Sequence, residues 1–313
     1  MTGLKYFDAQ TIREALTSET AITTVRAAMI ALSNGSAKQL LRSFIGLENR
    51  TFAIMPAALS ARGYFGAKLV SVFFAADGRR AHEGLVVLFD GESGKPVCTA
   101  DAGEITHIRT GAASAVATDL LARTDARRMA VLGTGKQAVS HIEAIVKVRP
   151  LTEILVWGRS AERAQNFAEE MTRKTGIAVR SAQSVRVAVA NADIICTVTS
   201  ASEPILEGAW VKPGAHVNVV GSSGPGPAEI DQDLVMKSRF IADHREHVLL
   251  HGAEFLRAKA AGAVTDAHVT AEIGEILSGA RDGRLSADDI TLYKSLGHAV
   301  QDIAVAAWLY EHV

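Results

Sequence analysis

A strand, a tight turn and a helix follow one another in a single stretch, Arg128-Met-Ala-Val-Leu-Gly-Thr-Gly-Lys-Gln-Ala138. The apolar run Met129 to Leu132 reads as a buried strand that ends on Gly133. Gly135 and Ala138 complete the pattern G-x-G-x-x-A, and Val139 to Val148 then carries apolar residues at helical spacing. Each small residue has a physical task. Gly133 permits the turn out of the strand, and Gly135 lets backbone N–H groups approach a pyrophosphate. Ala138 lets the helix settle onto a sheet with its positive end aimed at the phosphates. The motif is short, and the chain has 26 glycines, so its weight depends on what surrounds it.

The surroundings alternate. Candidate strands lie at 129–132, 153–157, 177–179, 193–198, 216–220 and 239–242, with helical segments at 137–148, 161–173, 184–190 and 230–237. Six strands in this rhythm match a doubly wound parallel sheet, with the glycine loop after its first strand. The predicted fold is therefore α/β: a doubly wound Rossmann domain plus an α+β domain completed by the C-terminal helix. The expected boundaries are 1–118 and 292–313 for the α+β domain, and 119–291 for the dinucleotide domain.

Composition narrows the function classes. The 313 residues are 48% hydrophobic with 7 Pro, which describes a globular chain. Lys+Arg 33 against Asp+Glu 34, with no basic run, argues against a nucleic-acid partner. Two cysteines, Cys98 and Cys196, sit in apolar runs and read as small buried hydrophobes; no metal site is expected. Lys5, Asp8, Arg13 and Glu14 stand where a signal peptide would be apolar, and no stretch is apolar for long enough to span a bilayer. A cytoplasmic protein without a membrane partner is expected.

In the first region Asp8 and Thr11 offer N-caps for a short helix, and Glu19 to Leu32 reads as an amphipathic helix ending at Asn34-Gly35. Strands are expected at 42–47, 51–55, 64–74 and 85–89. Asp90-Gly-Glu-Ser-Gly94 then forms a hairpin turn into Pro96 to Ala100. Lys68 lies inside the apolar run Phe65 to Phe74. Two readings stay open for it: an edge or snorkelling lysine, or a lysine aimed at an anionic ligand. Arg42 and Arg109 are further cations in weakly charged stretches. Thr106 to Arg123 reads as one Ala-rich helix, placing Arg109 near an N-terminus where the helix dipole adds to its charge.

The second predicted strand of the dinucleotide domain ends in Trp157-Gly158-Arg159-Ser160. An acidic residue there would accept the ribose 2′-hydroxyl of NAD; Arg159 with Ser160 suits the 2′-phosphate of NADP, and Ser160 also suits an N-cap. Strands four and five end in Thr197-Val-Thr199-Ser and Val220-Gly221-Ser-Ser223-Gly-Pro. Loops at the carboxyl ends of such strands face the ligand. Thr291 to Tyr310 reads as one long helix returning to the first domain.

Over almost its whole length the chain resembles the ornithine cyclodeaminase/mu-crystallin family. The matching residues are Met55-Pro56, Gly66-Ala-Lys68-Leu-Val, Asp101-Ala-Gly-Glu-Ile-Thr-His-Ile-Arg109-Thr-Gly-Ala-Ala, the Gly133 loop, Gly221 to Ile230, and Lys294-Ser-Leu-Gly-x-Ala-x-Gln-Asp302. The resemblance implies an NAD(P)-dependent enzyme of amino or imino acids, usually a homodimer, whose first domain with the C-terminal helix is the substrate-binding and dimerisation domain. Positions matching Arg42, Lys68 and Arg109 bind the substrate carboxylate in the family, and Met55 is expected beside them. Expected cofactor contacts are Thr110, Gly133, Thr134, Gly135, Lys136, Gln137, Ala138, Arg159, Ser160, Thr197, Thr199 and Gly221.

Two departures separate the family's reactions. Ornithine cyclodeaminases and alanine dehydrogenases carry an Asp where this chain has Ser223. The cyclodeaminase pattern has a Glu two residues before the Met, where this chain has Ala53. Without those carboxylates a diamine loses its counter-charges. The expectation is an NADPH-preferring reductase, with NADH also accepted, of a cyclic imino acid such as Δ1-pyrroline-2-carboxylate or Δ1-piperideine-2-carboxylate. Ser223 and Lys68 are its expected catalytic groups. A cyclodeaminase, an alanine-type dehydrogenase and a non-enzymatic NADPH-dependent binder are the alternatives.

Overall fold

The computed structural model describes residues 3–48, 50–60, 63–74 and 80–313. It divides into two compact units, Met1–Arg109 with Gly297–Val313, and Thr110–Leu296. The divisions fall inside a helix and at a glycine, where the sequence alone suggested 118/119 and 291/292.

The first unit begins with β1 (Lys5–Phe7), α1 (Ala9–Ala15) and α2 (Ser18–Ser33). Asp8 and Thr17 cap the two helices by accepting from the backbone N–H three residues on; Thr11 lies within α1. There follow β2 (Ala37–Gln39), β3 (Ser43–Leu47), β4 (Arg50–Leu59), β5 (Tyr64–Phe74), β6 (Arg80–Asp90) and β7 (Pro96–Asp101). Among the described residues they form one sheet in the order β1-β7-β6-β5-β4-β2, with β3 also pairing β4. The β6–β7 turn is tied by the Asp90 carboxylate, which accepts from the backbone N–H of Ser93 at 2.8 Å. On β4, Ala53, Met55, Ala57 and Leu59 alternate inward, as a sheet covered on one face requires.

Helix α3 (Ala102–Leu121) starts four residues before the expected Thr106, because the Asp101 carboxylate accepts from the N–H of Glu104 at 2.6 Å and caps it. Arg109 therefore stands two turns into the helix. The end-of-helix charge fades within the first turn, so the helix dipole adds little to the charge of Arg109.

The second unit contains β8 (Arg128–Leu132), α4 (Lys136–Ile145), β9 (Glu153–Trp157), α5 (Ala161–Thr175), β10 (Ala178–Ser181), α6 (Val185–Val189), β11 (Ile194–Thr197) and β12 (His216–Val219). It continues through α7 (Gln232–Lys237), β13 (Ser238–Ala242), α8 (Arg245–His251), α9 (Ala253–Ala260), β14 (Val269–Glu272), α10 (Ile273–Leu277) and β15 (Ile290–Lys294). Its sheet runs β10-β9-β8-β11-β12-β15-β13-β14, and the pairings are parallel. The first five places follow the doubly wound order. The sixth is taken by β15, which inserts between β12 and β13. The glycine loop therefore leaves β8 beside β11, where the direction of winding reverses.

The helix expected over 291–310 is thus two elements: β15, then α11 (Ala299–His312). Thr291, Leu292, Tyr293 and Lys294 are all 0% exposed, so the strand is buried on both faces and lacks the alternation that marks a strand in sequence. Gly297, at φ 79°, breaks the chain before α11 begins. That helix packs on α2 and β4–β7 within the first unit. Among the described residues no helix is long and apolar enough to cross a membrane. Cys98 and Cys196 are both buried free thiols, and burial pushes them up to about 11 and about 12.

Helices α3 and α4 meet at Gly111, where a Cβ would stand 2.4 Å from the Ser140 carbonyl oxygen. Beside that contact the His141 ring donates through Nδ1 to the Gln137 carbonyl, at 2.6 Å. Its Nε2 therefore accepts from the Ser114 hydroxyl at 2.9 Å. Gly111→Ala should force the helices apart and lower the unfolding free energy by about 1–3 kcal/mol. An unchanged denaturation midpoint would contradict this packing.

Candidate active site

In the first unit three elements bring charge to one place. Lys68 comes from β5, which has β4 and β6 as neighbours, so it is not an edge lysine. It is 5% exposed, and its register partners are Met55 on β4 and Val86 on β6. Its ammonium donates to the Thr106 hydroxyl and, at 3.2 Å, to Oδ1 of Asp302. The same Oδ1 accepts from Arg109 Nε at 3.2 Å, and Arg109 Nη1 donates to Gln301 Oε1 at 3.0 Å. Arg42, just before β3, donates from Nη2 to the Gly297 carbonyl at 3.0 Å.

Asp302 lies in the first turn of α11, where the helix N-terminus favours a carboxylate. Both cations share one of its oxygens. The other, Oδ2, is buried and has no hydrogen-bond partner among the described residues. One carboxylate facing Lys68 and Arg109, with Arg42 also in this unit, leaves positive charge in excess. Ala53 pairs with Val70, two residues from Lys68 on β5, and so lies on the same face of the sheet. It is 3% exposed and presents a methyl group where a glutamate would bring negative charge.

In the second unit the glycine loop has the form that a dinucleotide requires. Gly133 adopts φ 130°, and a Cβ there would stand 2.7 Å from the Val198 carbonyl oxygen. Gly135 is the N-cap of α4, with no side-chain cap and open space around its Cα. The first N–H groups of α4 are therefore left for a ligand. Thr134 and Gln137 are half-buried, Lys136 is exposed, and Ala138 is buried beneath the helix. At the end of β9, Arg159 is exposed, and the Ser160 hydroxyl caps α5 by accepting from Arg163 N at 3.2 Å. Thr110, the first residue of this unit, is buried on α3.

The carboxyl ends of β11 and β12 are tied together by Glu229. Its carboxylate accepts from the Thr197 hydroxyl (2.7 Å), the Thr199 N–H (2.6 Å) and hydroxyl (2.7 Å), and the Gly221 N–H (2.6 Å). A second carboxylate, Glu254 on α9, accepts from the Ser222 hydroxyl and from Glu229 N at 3.2 Å. Lys294 on β15 closes the group. Its ammonium donates to the Ser222 carbonyl (2.7 Å) and hydroxyl (2.6 Å), and lies 2.8 Å from Glu254 Oε2.

Burial pushes both carboxyls up. At Glu254 the charge and hydrogen bonds of Lys294 outweigh it, and the pKa falls below the usual range. At Glu229 burial prevails over the hydrogen bonds from Thr199 and Thr197, and the pKa is raised. Ser223, one residue past this group, is exposed.

The expected residues thus fall in two groups: Arg42, Met55, Lys68 and Arg109 in the first unit, and the loops with Ser223 in the second. The hydroxyls of Thr197 and Thr199 are engaged by Glu229. Sequence reasoning assigned no role to Asp302, Gln301, Thr106, Glu229, Glu254 or Lys294. A signal existed for two of them. Glu229, between Ala228 and Ile230, and Glu254, between Ala253 and Phe255, are carboxylates with apolar neighbours, an unusual setting for a charge without a partner.

Burial lowers the Lys68 pKa from 10.5 to about 8; Arg109 adds to the shift, and Asp302 opposes it. The folded chain holds this proton more weakly than the unfolded chain. The resulting cost to stability is present in full below about pH 8 and is relieved as pH rises toward 10.5. Lys68→Met should lack that relief. Between about pH 7.5 and about pH 10 its unfolding free energy should gain about 2 kcal/mol less than that of the wild type. Parallel pH profiles would contradict a buried ammonium at this position.

The match to the ornithine cyclodeaminase/mu-crystallin family model spans residues 6–313. Ketimine reductase mu-crystallin of Mus musculus is 36% identical over 283 residues, which are 89% of this chain and 86% of that protein. Thermococcus litoralis Δ1-pyrroline-2-carboxylate reductase, solved in complex with NADH and L-proline, is 33% identical with a TM-score of 0.95, over 98% of this chain and 97% of that one. An archaeal alanine dehydrogenase dimer with bound NAD is 29% identical with a TM-score of 0.93, over 98% and 95% of the two chains. With a family match running from Tyr6 through Val313, and with both the cation group and the glycine loop assembled, the chain belongs to the ornithine cyclodeaminase/mu-crystallin family.

Proposed function

We propose that this protein is an NAD(P)-dependent oxidoreductase of C=N bonds that reduces a cyclic imino acid, Δ1-pyrroline-2-carboxylate or Δ1-piperideine-2-carboxylate, with NADPH preferred. The observation that carries the reading is the buried Lys68–Arg109–Asp302 group with its excess of positive charge. A buried cation pair of this kind accepts a carboxylate through charge-assisted hydrogen bonds. Relatives named for ketimine and Δ1-pyrroline-2-carboxylate reduction support the same chemistry.

When bound, the nicotinamide nucleotide supplies a hydride. Gly133, Thr134, Gly135, Lys136, Gln137 and Ala138 would hold its pyrophosphate. Arg159 and Ser160 would hold the 2′-phosphate, the loops that carry Thr197, Thr199 and Gly221 would face the nicotinamide, and Thr110 would be a further cofactor contact. Arg42, Lys68 and Arg109 bind the substrate carboxylate beside Met55. The Ser223 hydroxyl, directly or through water, supplies or relays the proton that the ring nitrogen takes up. A serine hydroxyl stays neutral at ordinary pH, so it is a poor base, but it can donate a hydrogen bond to the ring nitrogen or order a water. The first unit is the substrate-binding and dimerisation domain, and the second is the dinucleotide domain. Strand β3 supports a homodimer: it exposes Phe44 (56%), Ile45 (54%) and Leu47 (53%), an apolar strand that needs covering.

Assay of five- and six-membered cyclic imino acids with NADPH should give turnover, while L-ornithine should release no ammonia. Ser223→Ala should lower kcat by about ten- to a thousandfold. Robust proline formation from ornithine would replace this reading with a cyclodeaminase, and an inert panel would favour a binding protein.

The cofactor preference rests on Arg159 and on the absence of a carboxylate at the end of β9. Arg159→Asp should shift preference from NADPH toward NADH, because a carboxylate repels the 2′-phosphate and accepts from the 2′-hydroxyl. A wild type that prefers NADH would refute the role given to Arg159.

A further inference from the structure

We propose that Lys294 and Glu254 are positioning residues that act through Ser222 to hold the Ser223 hydroxyl in its working orientation. The proposal rests on the reading of Ser223 as the proton-handling group.

Three features of the second unit carry it. Ser222 is fixed by both its backbone and its side chain: Lys294 donates to its carbonyl and hydroxyl oxygens, and its hydroxyl donates to the Glu254 carboxylate. Gly221, one residue earlier, is held by Glu229, whose own N–H donates to Glu254 at 3.2 Å. Two successive backbone positions are therefore anchored before the chain reaches exposed Ser223.

The anchors are costly ones. Lys294 is 0% exposed and Glu254 2%, and a buried ion pair contributes little stability over apolar residues of the same volume. What such a pair supplies is a defined geometry. The Lys294 ammonium donates to two oxygens of Ser222 and pairs with the Glu254 carboxylate at 2.8 Å, and the Ser222 hydroxyl both donates and accepts. A loop rich in Gly and Pro, Gly221-Ser-Ser-Gly-Pro-Gly-Pro227, has few side chains of its own with which to order a hydroxyl. The order is imported from β15 and α9.

Ser222→Ala tests the idea and leaves the Lys294–Glu254 pair intact, so the variant should fold. With Δ1-pyrroline-2-carboxylate and NADPH, kcat should fall about tenfold or more while both KM values stay within about twofold. The kcat loss should carry an altered solvent isotope effect, which a purely structural role would not produce. Glu254→Gln, a second and isosteric variant, should shift kcat in the same direction.

The decisive comparison is the double variant. If Ser222 acts through Ser223, then Ser222→Ala in a Ser223→Ala background should cost little further activity. Multiplicative losses, or a Ser222→Ala enzyme with normal kcat, would overturn the proposal while leaving Ser223 as the proton-handling group. A Ser223→Ala enzyme with normal kcat would defeat the underlying reading, and the proposal with it.

Discussion

The carboxylate of Asp302 is the contact on which the first unit depends. Two buried cations, Lys68 and Arg109, share one of its oxygens. Neither could be withdrawn from water at ordinary cost without it. The carboxylate reaches them because the chain, having built its parallel sheet, returns through Gly297 and lays α11 along β4–β7. A helix from the far end of the sequence thereby supplies the counter-charge for a strand and a helix near its beginning. Oδ1 is shared and Oδ2 is left over, so the group stays cationic and polar rather than closing into a neutral pair.

The second unit solves a different problem with the same means. A parallel sheet leaves its functional loops at the carboxyl ends of strands, where the regular ladder of hydrogen bonds has stopped. Glu229 and Glu254 replace that ladder with side-chain acceptors, and Lys294 supplies the charge that lets Glu254 stay ionised. Glu229, which has hydrogen bonds but no direct ion pair among the described residues, has its pKa raised by the same burial. Lys294 acts to lower both carboxyls, and only at Glu254, where it is in direct contact, does it outweigh burial.

Much of this was legible residue by residue. The turn and helix after Leu132 follow from Gly133, Gly135 and Ala138. Strand β5 has the bounds read from its apolar run, and the three cations stood out because their neighbours are uncharged. Other features were not legible. Thr291 to Lys294 are buried on every side, so the run carries no period by which a strand could be told from a helix. The start of α3 turned on Asp101, whose carboxylate ends a strand and caps a helix at once.

The sequence by itself determined the classes: an α/β chain with a dinucleotide loop, a set of three cations, and serine and alanine where carboxylates would serve a diamine. Those are properties of local spacing and of side-chain chemistry. Only the tertiary structure decided the partners. Lys68 and Asp302 are 234 residues apart, and Ser222 and Lys294 are 72 apart. Local pattern cannot pair groups at such separations. The crossing of β15 between β12 and β13, and the return of α11 to the first sheet, bring them within hydrogen-bonding distance.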